Sequence, residues 1–291
     1  MFNIDLSYSS VKSAPTFFYP FILMKLFRRN TGRDLNLLFP CSFGEKIQYL
    51  KLFDNKKIKT QLTDKIEVLN HIASVIEKKH IKKMFGIYNS ISDIDLNTLP
   101  ETFYLKTNHG CKWQLKIDSK DYFIQNYDEI NRKFSSWLRI NYAYANGLEL
   151  QYKNIEPKIF VEEVVSHPDY MFPVDVEFFC FDGRPRITSI RAIKDEFYFG
   201  LTLYNENKEV LPYRFNSQTY ECKINPVPLP NFYDDMFEIA KKLSKGFKMV
   251  RIDFFYTGDN FYFAEMTFTT FSGYCSPDIE LEKMISNWFR V

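Results

Sequence analysis

The sequence is short of glycine, cysteine and histidine, and each shortage excludes a kind of site. Only 10 of its 291 residues are glycine, so a phosphate-binding loop built on repeated glycines is not expected. The five cysteines are separated by 42 to 70 residues and form no CxxC pair, which is typical of free thiols in a reducing compartment. The four histidines have no HxxxH spacing, and a zinc site is therefore not predicted.

An excess of one charge and a long apolar run are absent as well. Lysine and arginine number 38 against 36 acidic residues, a net charge of +2, whereas nucleic-acid-binding proteins usually carry a clear basic excess. The longest apolar stretch, residues 17–27, is shorter than the ~20 residues of a transmembrane helix and lacks the features of a signal peptide. We therefore expect no nucleic-acid partner, no transmembrane segment and a cytoplasmic location, with contact at the inner face of the membrane left open for residues 17–27.

The hydrophobic periodicity that is present divides the chain. A length of 291 residues predicts about two domains, or one large divided domain. Residues 1–100 are predicted to be mainly helical, with a helical stripe over residues 64–79 that includes Val68, Ile72 and Ile76. Residues 101–165 then carry alternating patterns, which predict strands at 102–107, 113–117 and 158–165 around a helix at 128–145.

Residues 166–291 are predicted to form a second unit rich in strands. The elements predicted there are strands at 175–181, 185–190 and 197–203, a polar surface excursion at 205–231, a helix at 233–245, a hairpin of 248–256 with 261–269, and a tail helix at 278–288. The whole pattern predicts an α+β fold with mixed sheets.

The hairpin carries the most informative acidic residues. Side chains alternate along a strand, so Arg251 and Asp253 share a face, as do Glu265 and Thr267. A turn of three or five residues places Asp253 opposite Glu265, whereas a turn of two or four places them on opposite faces. Gly258 permits the odd-length turn, because it can supply the left-handed position of a bulged hairpin. Two facing carboxylates repel unless a cation lies between them, and such oxygen ligands suit Mg²⁺. The spacing also allows an ordinary hairpin with a solvated Glu265 and an Arg251–Asp253 pair.

A second candidate feature is a lysine at the end of a predicted strand. Lys106 precedes a bend formed by Asn108, His109 and Gly110. Backbone amides in a bend with a lysine at its base can hold the phosphates of a nucleotide. A plain turn with an edge lysine fits the same pattern.

Two further pairs of acidic residues lie on predicted strands. Glu162 and Glu163 are adjacent and therefore face opposite sides, so at most one of them faces a given site. Asp175 and Glu177 are two residues apart and share a face, which predicts either a ribose-binding face or a solvated one.

These features together resemble the TupA-like branch of the ATP-grasp superfamily, which is associated with teichuronopeptide and surface-polysaccharide biosynthesis. Each motif is weak alone, but their order and spacing from about residue 44 to residue 274 are specific. The motifs are GEKIQYLKL at 44–52, DK at 64–65, LKTNHG at 105–110, YKNIEPK at 152–158, EE at 162–163, FFCFDG at 178–183, VRIDF at 250–254 and FAEMTFT at 263–269.

The resemblance implies a nucleotide site. It assigns Lys65 and Lys106 to the ATP phosphates, the Asn108–Gly110 bend, including His109, to a lid loop, and the strand of Glu162 and Glu163 to the hinge that offers backbone groups to adenine. Asp175 or Glu177 is implied to hold the ribose. This chain departs from the family at two places: Cys111 and Lys112 stand where the family lid usually has serine and glycine, and Val176 and Glu177 stand where it often has tyrosine and lysine.

The resemblance also implies a metal site and a reaction. Asp253 and Glu265 are implied to bind Mg²⁺, with Thr267 where these enzymes often have an asparagine ligand, and Arg251 is implied to steady the transferred phosphoryl group. The implied fold is ATP-grasp, with a helical N-terminal region, a central lid subdomain at 101–165 and a C-terminal mixed-sheet subdomain at 166–291.

The implied activity is ATP-dependent carboxylate–amine ligation through an acyl phosphate. The implied partners are ATP, an amino acid or other amine, and a uronic acid of a surface glycan or nucleotide-sugar. Two alternatives stay open from the sequence: a kinase of a sugar hydroxyl, and a nucleotide-binding scaffold without turnover.

Overall fold

A computed structural model of the chain describes residues 5–145, 147–196, 199–215 and 224–291. The strands are β1 (Met84–Tyr88), β2 (Phe103–Thr107), β3 (Gln114–Ile117), β4 (Ile159–Glu162), β5 (Val174–Phe181), β6 (Arg184–Ile193), β7 (Phe199–Asn205), β8 (Val210–Leu211), β9 (Ile224–Asn225), β10 (Met249–Tyr256) and β11 (Phe261–Thr267). The α-helices are α1 (Tyr8–Ser13), α2 (Tyr19–Thr31), α3 (Phe43–Phe53), α4 (Lys57–Thr63), α5 (Val68–Ile72), α6 (Lys120–Gln125), α7 (Tyr127–Arg139), α8 (Tyr142–Ala145), α9 (Tyr233–Leu243) and α10 (Ile279–Trp288).

The smaller of two sheets has the order β1-β4-β2-β3, with every pair antiparallel. One face of it packs against α6 and α7, where Phe103, Leu105, Phe134 and Val161 are fully buried. Three of its strands agree with the predicted ones. The fourth, β1, lies in the stretch predicted to be mainly helical. The sequence did not predict this strand, because its five residues are half-buried or exposed and show no clear alternation.

The larger sheet has seven strands, with β11-β10-β5-β6-β7-β8 in order and β9 parallel to β7. One face is covered by α9 and is mostly apolar, as Val176, Phe178, Ile252 and Phe254 illustrate. The opposite face is apolar only at one end, where α3 and α10 cover it. The rest of that face carries the charged side chains of β5, β10 and β11. The α+β prediction with a mixed sheet is confirmed.

The N-terminal region is helical but more broken than predicted. The predicted helix at 64–79 is reduced to α5, after which the Val75 N–H donates to the Ile72 carbonyl oxygen at 2.8 Å in a tighter turn. β-Branched Ile72, Val75 and Ile76 lower the helix propensity there, although Ile72 and Ile76 are buried as the stripe requires.

Among the described residues, no helix combines the length and apolar character needed to cross a bilayer. Cys41, Cys111, Cys180 and Cys275 are free thiols, as expected, and Cys222 lies outside the described residues together with Phe197 and residues 216–223 of the predicted surface excursion.

Candidate functional site

The β10–β11 hairpin places Asp253 directly opposite Glu265, although its turn has an even number of residues. The turn has four residues, as the predicted hairpin of 248–256 with 261–269 requires, and Tyr256 pairs with Phe261 across it. A regular ladder from that turn would put Asp253 opposite Ala264. Instead the register shifts between Asp253 and Phe254, so that Ala264 is the extra residue of a β-bulge. The expectation that a four-residue turn places the two carboxylates on opposite faces is therefore wrong, because the bulge changes the register.

The neighbouring strand extends this pair into a row of three carboxylates. Glu177 of β5 lies opposite Asp253 on its other side, giving the order Glu177, Asp253, Glu265 across three strands. Arg251 lies among them. Its Nε and Nη2 donate to the two Asp253 oxygens at 2.7 and 2.5 Å, its Nη2 is 3.5 Å from Glu265, and its Nη1 is 3.6 Å from Glu177. We call the three carboxylates Glu177, Asp253 and Glu265, together with Arg251, the acidic row.

Burial and charge act in opposite directions on the acidic row. Loss of solvent raises the pKa of Asp253 to about 8, although the Arg251 guanidinium opposes this shift. The Glu265 side chain is 32 % exposed, and the charges of Lys65 and Arg251 lower its pKa to about 2. Of the alternative hairpin, the Arg251–Asp253 pair is observed, whereas Glu265 is only partly solvated and forms an ion pair with Lys65.

Lys65 and Thr267 complete the floor of the site. The Lys65 Nζ is 3.3 Å from a Glu265 oxygen and donates to the Gly110 carbonyl oxygen at 2.9 Å, so it joins the acidic row to the loop after β2. The Thr267 hydroxyl donates to the other Glu265 oxygen at 3.2 Å. Both predicted residues thus lie beside Glu265.

The smaller sheet presents a second charged group. Lys106 of β2 and Lys82 both form ion pairs with Glu162 at the end of β4, and the Lys82 contact is 2.8 Å. Burial lowers the pKa of Lys106 to about 8, and the two lysines lower the pKa of Glu162 to about 2. Glu163 points elsewhere, where it accepts a hydrogen bond from the Lys83 N–H at 2.6 Å. Of the two adjacent glutamates, only Glu162 faces the site.

The side chains of Asn108 and His109 in the bend implied to be a lid loop point into the protein, and the lid role itself stays a prediction. Asn108 is buried, and its amide donates to Asp64 and to the Glu156 carbonyl oxygen, both at 3.0 Å. His109 is buried against Trp113, and a Cβ on Gly110 would lie 2.2 Å from that same indole ring. The bend is therefore held by its own buried contacts: Asn108 and His109 pack into the protein, and Gly110 leaves room for the Trp113 ring. The next residues, Cys111 and Lys112, line the cavity instead.

Asp175 lies two residues before Glu177 on the same face, as predicted. It accepts two hydrogen bonds from Arg191 of β6, at 3.0 and 2.6 Å. Both residues line the cavity and remain partly exposed. The two residues of the predicted pair therefore have different partners: Asp175 forms an ion pair with Arg191 of β6, and Glu177 belongs to the acidic row.

A cavity of about 780 Å³ connects all these groups. Its walls come from both sheets, with the acidic row and Lys65 on one side and Lys106 and Glu162 on the other. Apolar residues line the region near Lys106, namely Met84, Phe160 and Phe255. A cavity of this size with an apolar lining and a few convergent charges has the character of a small-molecule site.

The cavity also extends away from that apolar region, along an aromatic wall. The Phe179 ring lies 6.0 Å from the Arg251 guanidinium and stacks on Phe215 at 4.3 Å, and Phe215 is 5.6 Å from Phe271. Phe271 is exposed into the cavity, and Arg214 lies beside this wall. We call Phe215, Phe271 and Arg214 the distal wall. The sequence motifs did not indicate it, because its members come from separate segments.

Phe271 belongs to a turn with an unusual backbone. Phe271, Ser272 and Gly273 have φ values of 53°, 52° and 70°, so two residues that carry side chains adopt the left-handed conformation in succession. Such residues cost energy and cluster at functional sites. Here the Ser272 carbonyl oxygen accepts hydrogen bonds from Lys51 at 2.8 Å and from Gln48 at 2.9 Å, which holds the turn in place.

The residues of the acidic row fit a magnesium ion that is shared with phosphate. Among the described residues no three His, Cys, Asp or Glu side chains converge closely enough to hold a metal unaided. Mg²⁺ in nucleotide sites needs fewer, since it is usually bound by one or two carboxylates, with phosphate and water oxygens completing its shell. Asp253 and Glu265 provide that pair on adjacent strands, with the Thr267 hydroxyl beside them.

Comparison with known proteins identifies the family. The family model of TupA-like ATP-grasp proteins matches residues 45–287, which is most of the chain. The chain therefore belongs to the TupA-like ATP-grasp family, and the resemblance seen in the motifs is confirmed. No curated protein matches the sequence.

Three solved structures have a similar fold, and their sequence identity to this chain is low. D-Alanine–D-alanine ligase from Helicobacter pylori is 12 % identical, with 85 % of this chain and 69 % of that chain covered and a TM-score of 0.46. The ATP-grasp ligase PsnB, in a complex with Mg and ADP, is 14 % identical, with 82 % and 64 % covered and a TM-score of 0.41. D-Alanine–D-alanine ligase from Bacillus anthracis, complexed with ATP, is 11 % identical, and this chain covers 71 % of its own length and about half (53 %) of that chain, with a TM-score of 0.40.

Proposed function

We propose that this protein is an ATP-dependent carboxylate–amine ligase that works through an acyl phosphate. The observation that carries the proposal is the acidic row facing Lys106 and Glu162 across one cavity. Family membership supports ATP as the nucleotide. The expected location is the cytoplasm, which supplies ATP and keeps thiols reduced.

ATP fits the cavity with its base in the apolar region and its phosphates over the acidic row. Met84, Phe160 and Phe255 would pack against adenine, which leaves Lys106 and Lys65 at the phosphates as charge-assisted donors. Asp175, which is partly exposed beside Arg191, offers carboxylate oxygens to the ribose hydroxyls. Both hydrogen bonds from Arg191 go to one Asp175 oxygen, Oδ2, and Asp175 is more exposed than Glu177, so we assign the ribose contact to Asp175.

The transfer step follows from the charges at the centre of the acidic row. The substrate carboxylate attacks the γ-phosphorus, an acyl phosphate forms and ADP leaves; the amine then attacks the acyl carbon, loses a proton and expels phosphate. Mg²⁺, held by Asp253, Glu265 and Thr267, would neutralise negative charge on the phosphates. Arg251 keeps a permanent positive charge at this point, where it can donate to the transferred phosphoryl group.

The distal wall supports an acidic sugar as the carboxylate substrate. A flat aromatic ring at Phe271 suits the apolar face of a sugar ring, and the Arg214 guanidinium suits an anionic group of the same molecule. Phe179 and Phe215 link this wall to Arg251, so a sugar held there lies next to the transfer point. A uronic acid of a surface polysaccharide, or its nucleotide-sugar, has both features, and an amino acid is the proposed amine.

Product analysis tests the activity directly. Purified protein with ATP and Mg²⁺ is incubated with a panel of uronic acids and amino acids, and ADP and free phosphate are measured together. A ligase releases both in equal amounts only when acid and amine are present. ADP without phosphate in the presence of a sugar would identify a kinase instead, and nucleotide binding without any ADP across the panel would favour the scaffold.

A pair of variants links turnover to the acidic row. Asp253→Asn should fold and lose at least ~100-fold in ADP release, because an amide oxygen is a poorer ligand for a hard cation than a carboxylate. Asp235→Asn, an exposed acid on α9, provides the matched control and should leave turnover unchanged. Full turnover in Asp253→Asn would remove the metal assignment.

A further inference from the structure

The helix α2 is apolar on two opposite sides, although only one side contacts the protein core. Tyr19, Ile22, Leu23, Leu26 and Phe27 are buried. On the other side Phe21 and Met24 are 52 and 45 % exposed, and Phe17 and Phe18, in the 3-10 turn directly before the helix, are 67 and 41 % exposed. Surface helices normally carry polar residues on the side away from the core. We call these four exposed residues the aromatic strip.

The aromatic strip is continuous, and it ends in positive charge. The rings of Phe17 and Phe18 are 4.4 Å apart, and those of Phe18 and Phe21 are 6.4 Å apart. Helical spacing then places Met24 one turn after Phe21, and Lys25 and Arg28 one turn after Phe21 and Met24 respectively. The same side of the helix therefore passes from aromatic side chains to basic ones.

The charge around the aromatic strip differs from that of the remaining chain. Residues 5–34 contain five basic and two acidic residues, a net charge of +3, whereas the whole chain has +2, so the remainder sums to −1. The segment also precedes the region matched by the family model, which begins at residue 45. It therefore lies outside the matched region and carries a different charge balance.

From these observations we propose that the aromatic strip docks α2 on an anionic phospholipid surface. Exposed aromatic side chains next to lysine and arginine are typical of peripheral membrane anchors, because the rings enter the headgroup boundary while the cations meet lipid phosphates. At about 200 Å² for a fully exposed Phe or Met side chain, the strip offers about 400 Å², half of the ~800 Å² that each partner of a stable protein interface buries. Its size and charge therefore favour a membrane over a second copy of the chain.

Vesicle sedimentation of the full chain tests the proposal. The probes are vesicles of phosphatidylcholine alone and of phosphatidylcholine mixed with phosphatidylglycerol. Phe17→Ser/Phe21→Ser should lower partitioning at least tenfold on the mixed vesicles. Lys25→Gln/Arg28→Gln should lower it about tenfold or more at low salt, since each basic residue contributes roughly fivefold at an anionic surface, and this effect should vanish at high salt.

The matched control removes equally exposed apolar residues elsewhere. Ile124 of α6 and Ile279 of α10 are 61 and 74 % exposed, and Ile124→Ser/Ile279→Ser should partition as the unmodified protein does. A second measurement places the strip in the bilayer: Phe21→Trp should add a tryptophan emission that lipids with brominated chains quench.

Three results would overturn the proposal: equal binding by the strip and control variants, no quenching of the tryptophan introduced by Phe21→Trp, or a dimer that Phe17→Ser/Phe21→Ser dissociates. Calorimetric ATP binding is measured on every variant. Retained ATP binding without vesicle binding would reject the membrane surface while leaving the proposed ligase intact, so the two proposals fail separately.

Discussion

At the residue scale, buried charges decide where the site lies. Lys106, Glu162, Arg251, Asp253 and Glu265 are all largely buried, and charged residues are rarely found there unless they are paired. Each has at least one partner of opposite charge within the cavity walls. Such strongly shifted groups in a cleft mark functional sites, and here they coincide with the residues that the motifs indicated.

The burial of Lys106 predicts a pH dependence of nucleotide affinity. Its pKa of about 8 means that the ammonium group loses its proton as the pH rises through 8, whereas ATP phosphates favour the charged form. The dissociation constant for ATP, measured by calorimetry, should therefore increase from pH 7 to 9.5, by up to about tenfold per unit above pH 8.

Two variants check this assignment. Lys106→Met should bind ATP more weakly by roughly 1.5–3 kcal/mol at pH 7 and should lose the pH dependence. Lys116→Met, on the neighbouring strand β3 and paired only with Asp118 at the surface, should keep it. An unchanged affinity in Lys106→Met would place this lysine outside the phosphate site.

A second residue-scale prediction concerns the buried lysine beneath the left-handed turn. The Lys51 Nζ donates to Ser272, Gly147 and Gln48, and the buried Glu149 carboxylate contributes an attraction that partly offsets its desolvation. Lys51→Met should lower the free energy of unfolding by about 3–5 kcal/mol, because Glu149 loses its counter-charge and the Ser272 carbonyl one of its donors.

Chemical denaturation measures this loss, and Glu149→Gln in the Lys51→Met background should recover part of it. Lys59→Met tests the alternative that any buried lysine is equally important, since Lys59 pairs with Asp54 away from the turn. Only the Lys51 variant should also raise the Michaelis constant of the acid substrate, given that Phe271 forms the distal wall.

At the element scale, the hairpin shows how one extra residue orients a site. The four-residue turn sets Phe254 against Phe263 in the core, and the bulge at Ala264 then returns Glu265 to the side of Asp253. If Ala264 were instead paired in a regular ladder from the same turn, Glu265 would lie opposite Ile252 on the buried face and Met266 would be exposed. The bulge thus allows an apolar face and a charged face to be correct at once.

Two single-residue deletions test separately how the charged face and the apolar face depend on the bulge. Deleting Ala264 removes the bulge but leaves Asp253 opposite Glu265 and Phe254 opposite Phe263, so the protein should fold and keep ATP-dependent turnover. Deleting Tyr262 removes one residue as well but turns Phe263 out of the core, which should cost about 3–5 kcal/mol of stability, as loss of a buried Phe side chain does. Thermal unfolding and ADP release measure both; equal damage in the two deletions would contradict the role given to the bulge.

The loop after β2 supports a narrower lid than its motif implies. The Thr107 and Asn108 amides already donate to the Trp113 and Lys158 carbonyl oxygens, and Asn108 and His109 are buried. Hydrogen exchange at residues 111–112 should slow when a non-hydrolysable ATP analogue binds, whereas residues 107–109 should be protected with and without it. The β10–β11 turn is the internal control. Equal exchange at residues 111–112 in both states would count against a lid.

At the scale of the whole molecule, the cavity lies between the two sheets and has walls from both. Lys65 connects Glu265 of the larger sheet to Gly110, next to the smaller one. A nucleotide that contacts both walls should therefore stabilise the whole protein. At 100 times its dissociation constant, ATP with Mg²⁺ should add about 2.7 kcal/mol and raise the melting temperature by about 4 °C for a chain of this length. GTP at the same concentration is the control, and an equal shift with GTP would argue against adenine in the apolar region.

The sequence by itself determined the local elements and the identity of the charged residues. Alternation along β5, β10 and β11 placed Asp175 with Glu177 and Arg251 with Asp253, because side-chain direction follows directly from strand periodicity. The order of weak motifs also determined the family, which the match over residues 45–287 confirms.

Only the tertiary structure decided how distant segments combine. The bulge at Ala264, the pairing of Lys82 with Glu162 and the addition of Glu177 to the acidic row all depend on which strands become neighbours, and strand order is not encoded in local periodicity. The same reason explains why Asn108 and His109 turned out to be buried. A side chain in a bend can point either way, and packing against Asp64 and Trp113 settles its direction.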